Sequence, residues 1–322
     1  MIITKTPVRI SFVGGGSDII REDMKVPGCV VSTTIEKYIY VILKKKLSGK
    51  FRISYSKNEY VNKISEIKNP LIKSTLQFAK IKDDEPLEIV TIADIPSSGS
   101  GLGSSSALVV GLLKAIYQYK NEKISKYNIA VSAYHIEKNL MKKHLGYQDH
   151  FNASYGGLRV YKFYKNNKIK NKIITTDKKK IKSFNSHVLI FYTGINRVAD
   201  KILKKMKKTP SSYIDKVALL SEQFLFYLKK NNFKKCGEII NKSWLIKRNF
   251  TNNVTSSLID KIYRDGMKAG AYGGKILGAG GGGYFIFICP KKNKKKIIKK
   301  LNYLELVSSQ FENQGSKIIF KN

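Results

Sequence analysis

Acidic side chains are scarce in this sequence: 23 aspartates and glutamates stand against 60 lysines and arginines, for a formal net charge of +37 over 322 residues. Chemistry that needs carboxylates as bases or as ligands for hard cations therefore has few residues to draw on. Arginine is scarce as well, seven in all. That weakens a nucleic-acid reading of the charge, because base readout and bidentate phosphate recognition favour arginine over lysine. The lysines are spread along the chain, with short runs at 44–46, 178–180 and 294–296, as solvated faces would be. Nucleic acid is not the expected partner, although a positive field also gathers small phosphorylated substrates. Only three cysteines occur, Cys29, Cys236 and Cys289, far apart and without a C-x-x-C pair. This gives no disulfide or zinc framework and fits a reducing compartment. No apolar run approaches the ~20 residues of a membrane span, and the first residues lack the pattern of a signal peptide. The expectation is a cytoplasmic protein with no membrane partner.

What is present is enough for a sizeable core. With 42% hydrophobic residues, a chain of this length is expected to form two domains, at roughly 100–200 residues each. Runs such as VRISFV, CVVSTTI, YIYVIL, FRISYS and LEIVTIA are rich in β-branched and aromatic residues and read as strands. One helix begins inside a Gly/Ser-rich stretch. A second spans about Ser125 to Lys143, with Ile129, Ala133, Ile136 and Leu140 at helical spacing. The Lys/Asn-rich stretch from Lys165 to Lys182 reads as a surface hairpin near a domain boundary. HVLIFYTG then opens a second half of three or four amphipathic helices, a glycine-rich run between two strands, and a closing helix and strand. There is no internal repeat, and the fold class is α+β.

The stretch PSSGSGLGSSSALVV, Pro96 to Val110, places small polar residues where a buried helix should start. Glycines let backbone approach a ligand closely, and the first turn of a helix offers unpaired N–H groups and a partial positive charge. Polyphosphate suits such an end, although a plain Gly/Ser connector has the same composition. The stretch is not a Walker A motif, since no lysine follows the glycines. The run KILGAGGGGYFIFI formally contains G-x-G-x-x-G, but it leads into a strand rather than a helix, so a dinucleotide fingerprint fails. Histidines give no zinc signature either, because HIE at 135–137 lacks its P-C-x-x-C partner.

Three segments in order resemble the motifs of the GHMP family of small-molecule kinases: TPVRISFVGGGSD at 6–18, PSSGSGLGSSSAL at 96–108 and KILGAGGGGYFIFI at 275–288. The resemblance implies a two-domain α+β GHMP kinase fold, with an N-terminal domain like ribosomal protein S5 domain 2 over 1–183 and a ferredoxin-like C-terminal domain over 184–322. It implies ATP and Mg²⁺, with ATP held by Pro96, Ser97, Ser98, Gly99, Ser100, Gly101, Leu102, Gly103, Ser104, Ser105 and Ser106. Glu137 and Ser105 are the implied Mg²⁺ ligands, and Asp149 is the implied base or orienting group, with Arg9 beside it. Each also fits a plainer role: Glu137 paired with a lysine on a helix surface, Ser105 or Asp149 as a cap, Arg9 at a strand end. His150 stands where sugar kinases of the family often have glutamine.

Within the family, RISFVGGGSD, PGCVVSTTIEKYIYV and FYTGINRVADKIL look like the D-glycero-D-manno-heptose 7-phosphate kinases, with fucokinase-like enzymes as near relatives. This implies transfer to the anomeric hydroxyl of a sugar phosphate, giving the 1,7-bisphosphate used to make nucleotide-activated heptose. Asp18 would grip sugar hydroxyls, with Gly14, Gly15, Gly16 and Ser17 beside the ring and Gly280, Gly281 and Gly282 near substrate and phosphates. Lys37 and Arg197, with Thr193 as a neutral donor, are the expected contacts of the sugar phosphate. A silent sugar- or nucleic-acid-binding protein of the same fold is the alternative outside enzymes, and oligomeric state is left open.

Overall fold

The computed structural model describes residues 1–47, 49–96, 99–195, 209–249 and 254–322. Ser97, Ser98 and Arg197, named above, lie outside them. Two long antiparallel strands, β1 (Ile2–Val13) and β2 (Gly28–Lys45), form the spine of the larger sheet. Their β-branched and aromatic residues suit a pleated surface that is covered by other elements. The register slips between Pro7 and Val8 and again between Ser11 and Val13. Proline has no N–H to give the ladder, so a slip beside Pro7 breaks little. β2 is long enough to take several partners along one edge: β5 (Leu87–Ala93) pairs with its residues 39–45, β6 (Arg159–Phe163) with residues 28–32, and a short strand at 311–312 with residues 34–35 between them. A hairpin of β3 (Phe51–Ser54) and β4 (Asn58–Val61) extends the sheet beyond β5, and β7 (Ile169–Ile173) pairs with β6.

Helices cover this sheet. α1 (Pro70–Phe78) starts on Asn69, whose side chain accepts from the N–H groups of Leu71 and Ile72, with proline at the first helical position. α2 (Ser104–Tyr119) buries Val109, Val110, Leu112, Leu113, Ala115 and Ile116 over β1 and β2. Each such branched side chain contributes about 1.5–3 kcal/mol relative to exposure, so Leu113→Ala should cost about 2–5 kcal/mol. α3 (Lys126–His135) is capped by the Ser125 hydroxyl, 3.0 Å from Asn128 N. The helix expected to reach residue 143 instead widens into a π-type turn over Ile136–Leu140. That extra residue per turn shifts the helix face: Glu137 is carried inside, and Leu140, expected on the apolar stripe, is 49% exposed. α4 (Gln148–Tyr155) completes this half.

After α5 (Lys178–Asn185), the smaller sheet is wholly antiparallel. Its strands β8 (Val188–Tyr192), β9 (Gly273–Ile276), β10 (Tyr284–Ile288) and β11 (Glu305–Leu306) lie in the order β11-β8-β10-β9. With it go α6 (Ser211–Lys229), α7 (Phe233–Arg248), α8 (Ser257–Lys268) and α9 (Lys294–Lys300). The chain then returns: β12 (Phe311–Glu312) pairs with β2 and β13 (Lys317–Lys321) with β1. The position 183/184 expected as a boundary falls inside α5. Phe184 there stacks into one aromatic cluster with Phe12, Phe224 and Phe311, with ring centroids 5.0 to 6.3 Å apart. None of the helices among the described residues is long and apolar enough to cross a membrane.

Candidate active site

The Gly/Ser-rich stretch joins β5 to α2. Gly99, Gly101 and Gly103 have φ values of +71°, +74° and +76°, a region that side chains disfavour. Gly103 ends the turn, and the first N–H groups of α2 behind it have no acceptor within the helix. The loop is tied down from β1: Arg9 N donates to Leu102 O at 2.9 Å, and Arg9 Nη1 donates to Gly101 O.

Asp149, in the first turn of α4, lies against the same helix end. A side chain on Gly103 would begin 3.2 Å from Asp149 Oδ2. Arg9 grips the carboxylate with two donors, Nε to Oδ1 and Nη2 to Oδ2, both at 2.8 Å. The arginine side chain is 5% exposed and the aspartate side chain 25%, so the pair is shielded on one side and open on the other. The sequence anticipated this neighbourhood, and the structure brings the two residues together.

Glu137 is fully buried. Its Oε2 accepts from the Ser106 hydroxyl at 2.7 Å and lies 2.9 Å from His150 Nε2, while Oε1 accepts from Lys143 Nζ at 2.9 Å. Burial pushes its carboxyl up, but the bonds and charge of His150 and then of Lys143 outweigh it and hold the group down at about 2. Ser106, rather than the expected Ser105, meets this carboxylate: three residues past Gly103, its side chain is buried where α2 faces the π-type turn. Among the described residues no cluster of three or more histidine, cysteine or acidic side chains could hold a metal. A cation brought in with phosphate oxygens needs only one or two protein oxygens, and Glu137 and Ser106 have the right chemistry; both are buried, and a cation held there takes the place of Lys143 on the carboxylate.

The first glycine motif forms a turn with no helix, so Asp18 caps none. Asp18 Oδ1 accepts from Gly16 N at 2.9 Å and Oδ2 from Gln148 N at 3.2 Å. Burial, then the charge of Asp149, raises the Asp18 carboxyl above its ordinary range, and those N–H bonds oppose the shift. Gly14 packs on β2 on the side a side chain would take, where it would begin 1.9 Å from Cys29 O. One expectation is corrected here. Ser17 is spent on the backbone: its hydroxyl donates to Gly14 O at 2.7 Å and accepts from Cys29 N at 3.0 Å.

The second half reaches the same place. The loop between β9 and β10 carries Gly280, Gly281 and Gly282 at positive φ, packed on Val254 and Ile195. The next residue, Gly283, touches the serine loop: a side chain on it would begin 2.2 Å from Ser100 O. Thr193 is not the free donor expected. Its hydroxyl donates to Gly283 O at 2.8 Å and so fixes this turn. Lys37 lies half-buried on β2, near the first slip of register. Lys275 on β9 is buried without a carboxylate, and its Nζ donates to Ser11 O at 2.9 Å and Phe12 O at 3.1 Å. These carbonyls sit at the second slip in β1, where the ladder leaves them short of donors. Burial, then the charge of Arg9, lowers the ammonium to about 7.

Comparison with known proteins identifies the family and the fold. The family model of the GHMP kinases N-terminal domain matches residues 69–157, and that of the GHMP kinases C-terminal domain matches residues 225–304. The D-glycero-alpha-D-manno-heptose 7-phosphate kinase of Campylobacter jejuni is 30% identical over 93% of either chain. The chain belongs to the GHMP kinase family. A bifunctional fucokinase/GDP-fucose pyrophosphorylase of Arabidopsis thaliana is 26% identical over 91% of this chain, which spans 30% of that longer protein. The crystal structure of a D-glycero-D-manno-heptose 1-phosphate kinase from Bacteroides thetaiotaomicron superposes over the whole of both chains, with a TM-score of 0.84 at 21% identity. The fold is the two-domain GHMP kinase fold.

Sequence reasoning missed Lys143 and Lys275 as members of the site, and placed Ser106 on ATP without seeing its bond to Glu137. Lys143 carries no periodic signal, because the π-type turn sets its reach to Glu137. Lys275 did carry one: a lone cation inside a strand of glycine and apolar residues needs acceptors of its own.

Proposed function

We propose that this GHMP kinase transfers the γ-phosphoryl group of ATP to the anomeric hydroxyl of D-glycero-D-manno-heptose 7-phosphate, yielding the 1,7-bisphosphate for nucleotide-activated heptose. The observation that carries the reading is the placing of Asp149, gripped by Arg9, against the N-terminus of α2. The resemblance of the three motifs and the name of the Campylobacter jejuni relative support the choice of sugar.

In this reading the loop from Pro96 to Ser106 receives the phosphates on its backbone N–H groups, with the helix dipole favouring their charge. Asp149 orients the acceptor hydroxyl and takes its proton, and Arg9 holds that carboxylate in place and offsets charge as the phosphoryl group moves in line. Asp18 takes sugar hydroxyls on the lone pairs that Gly16 and Gln148 leave free. Gly280 to Gly282 close over the phosphates from the second half. Mg²⁺, held by Glu137 with Ser106, would neutralise charge on the phosphates. Lys37 and Arg197 are the cations assigned to the 7-phosphate. A cytoplasmic setting goes with the use of ATP.

The Arabidopsis thaliana relative favours a second reading, a sugar-1-kinase that accepts an unphosphorylated sugar. A coupled ADP-release assay across heptoses, fucose and other sugars, with and without a terminal phosphate, tests both. Turnover that needs the 7-phosphate supports the first reading, turnover without it supports the second, and no turnover overturns both.

A further inference from the structure

Two buried polar groups beside the proposed acceptor site have no partner among the described residues: the hydroxyl of Ser11, a residue 4% exposed, and Oε1 of Gln148, a residue 9% exposed. The Ser11 hydroxyl and the amide end of Gln148, through its nitrogen, flank the same bare piece of backbone. A side chain on Gly15 would begin 3.7 Å from Ser11 Oγ and 3.7 Å from Gln148 Nε2. An orphaned buried hydroxyl or amide lowers stability, so packing alone gives no reason to keep two together.

Both backbones are held by hydrogen bonds of their own. Gln148 N donates to Asp18 Oδ2 at 3.2 Å, and Gln148 O accepts from Asn152 Nδ2 at 2.7 Å. Asn152 Oδ1 in turn accepts from the hydroxyl of Ser32, which stands opposite Ser11 in the β1–β2 ladder. Ser11 O accepts from Lys275 Nζ at 2.9 Å. Gln148 is next in the chain to Asp149, and its own N–H joins it to Asp18, so the residue stands beside both carboxylates assigned to the acceptor.

We propose that Ser11 and Gln148, with Gly15 as the open floor, form a subsite that reads a hydroxyl of the acceptor other than the one phosphorylated. The inference rests on the kinase reading above. Gln148 Oε1 can only accept, whereas Ser11 Oγ both donates and accepts. The matching group is therefore a ligand hydroxyl that gives its proton to Gln148 and takes one from Ser11, or two neighbouring hydroxyls that share those tasks. An analogue lacking that hydroxyl leaves the buried pair orphaned in the complex, which is how a polar site rejects it.

The test compares wild type with Ser11→Ala, Gln148→Met and Gly15→Ala. It reads acceptor and ATP kinetics, turnover of singly deoxygenated acceptor analogues, and the melting midpoint without ligand. A side chain at Gly15 meets only ordinary contact distances, so this third variant fills the subsite without straining the fold. The expected result is an acceptor KM raised about 10- to 100-fold in each variant, with the ATP KM within about twofold. One deoxy analogue, rejected by wild type, becomes no worse than the parent sugar in Ser11→Ala or Gln148→Met. The melting midpoint of Ser11→Ala holds or rises. Lowered midpoints in all three variants with acceptor KM and discrimination unchanged would overturn the inference alone and make both residues structural. A wild type that turns over no sugar overturns the kinase reading and this inference together.

Discussion

Arg9 and Asp149, 140 residues apart in the chain, meet through two parallel N–H···O bonds of 2.8 Å, and the same guanidinium also holds the carbonyl of Gly101. One side chain thus sets the position of the acceptor's proposed base relative to the loop proposed for the nucleotide. A planar fork does this where an ammonium would not, because only arginine keeps several donors in fixed relation.

Asp149→Asn should preserve shape and remove the charge. Turnover is expected to fall about 10²- to 10⁴-fold, the usual range for a lost general base, with the ATP KM changed little. Steady-state kinetics in both substrates checks this. Equal loss of turnover and of ATP affinity would mean that the residue serves the loop's structure instead.

Gly283→Ala should damage the nucleotide side from the opposite half of the molecule. At φ +87°, with a carbonyl 2.2 Å from the new methyl, the alanine must push the Ser100 backbone away. The ATP KM should rise at least about tenfold, since a displacement near 1 Å at a positioned group has such effects. Nucleotide titration by calorimetry measures it, and wild-type ATP affinity would show that the contact is incidental.

The Glu137 carboxylate makes acid stability a readout of the buried cluster. Its ordinary value is 4.5 and its folded value about 2, so its contribution is complete above 4.5 and disappears as the pH falls from there through 2. That contribution is on the order of 3 kcal/mol by linkage. Urea unfolding between pH 2 and 6 should show a steeper acid limb in wild type than in Glu137→Gln. Parallel limbs would sink the assignment.

Lys275 should act in the opposite direction. The ammonium titrates near 7 when folded and near 10.5 when unfolded, so between these values the unfolded chain binds more protons. Stability therefore gains from this group as the pH rises from 7 to 10.5. Lys275→Met, which also leaves two carbonyls without their donor, should lower stability at pH 10 and show a flatter pH slope between 7 and 10. Chemical denaturation at several pH values decides it, and an unchanged slope would refute the shifted ammonium.

Much of this architecture was legible before any coordinates. The β-branched runs became β1, β2 and β5, the glycine turn before Ser104 did open a buried helix, and the glycines after Ile276 did join two strands. Composition and period carry such features because they act within a few residues. The partners of Glu137 were not legible, since a π-type turn changes which residues face inward without altering the pattern that precedes it. Nor were the tasks of Ser17 and Thr193, whose hydroxyls are consumed by backbone groups, near in sequence for Ser17 and far along the chain for Thr193. A hydroxyl in a motif says that a polar atom is there, while its surroundings decide whether a ligand or a carbonyl takes it.

The rest of Gly283 on Ser100, and the pairing of β13 with β1, make a timetable for the cell. A ribosome releases the serine loop before the backbone that supports it, which emerges nearly two hundred residues later, and before β13. Until both are made, the growing polypeptide has no finished cradle, although Arg9, Glu137 and Asp149 are already in place along the chain.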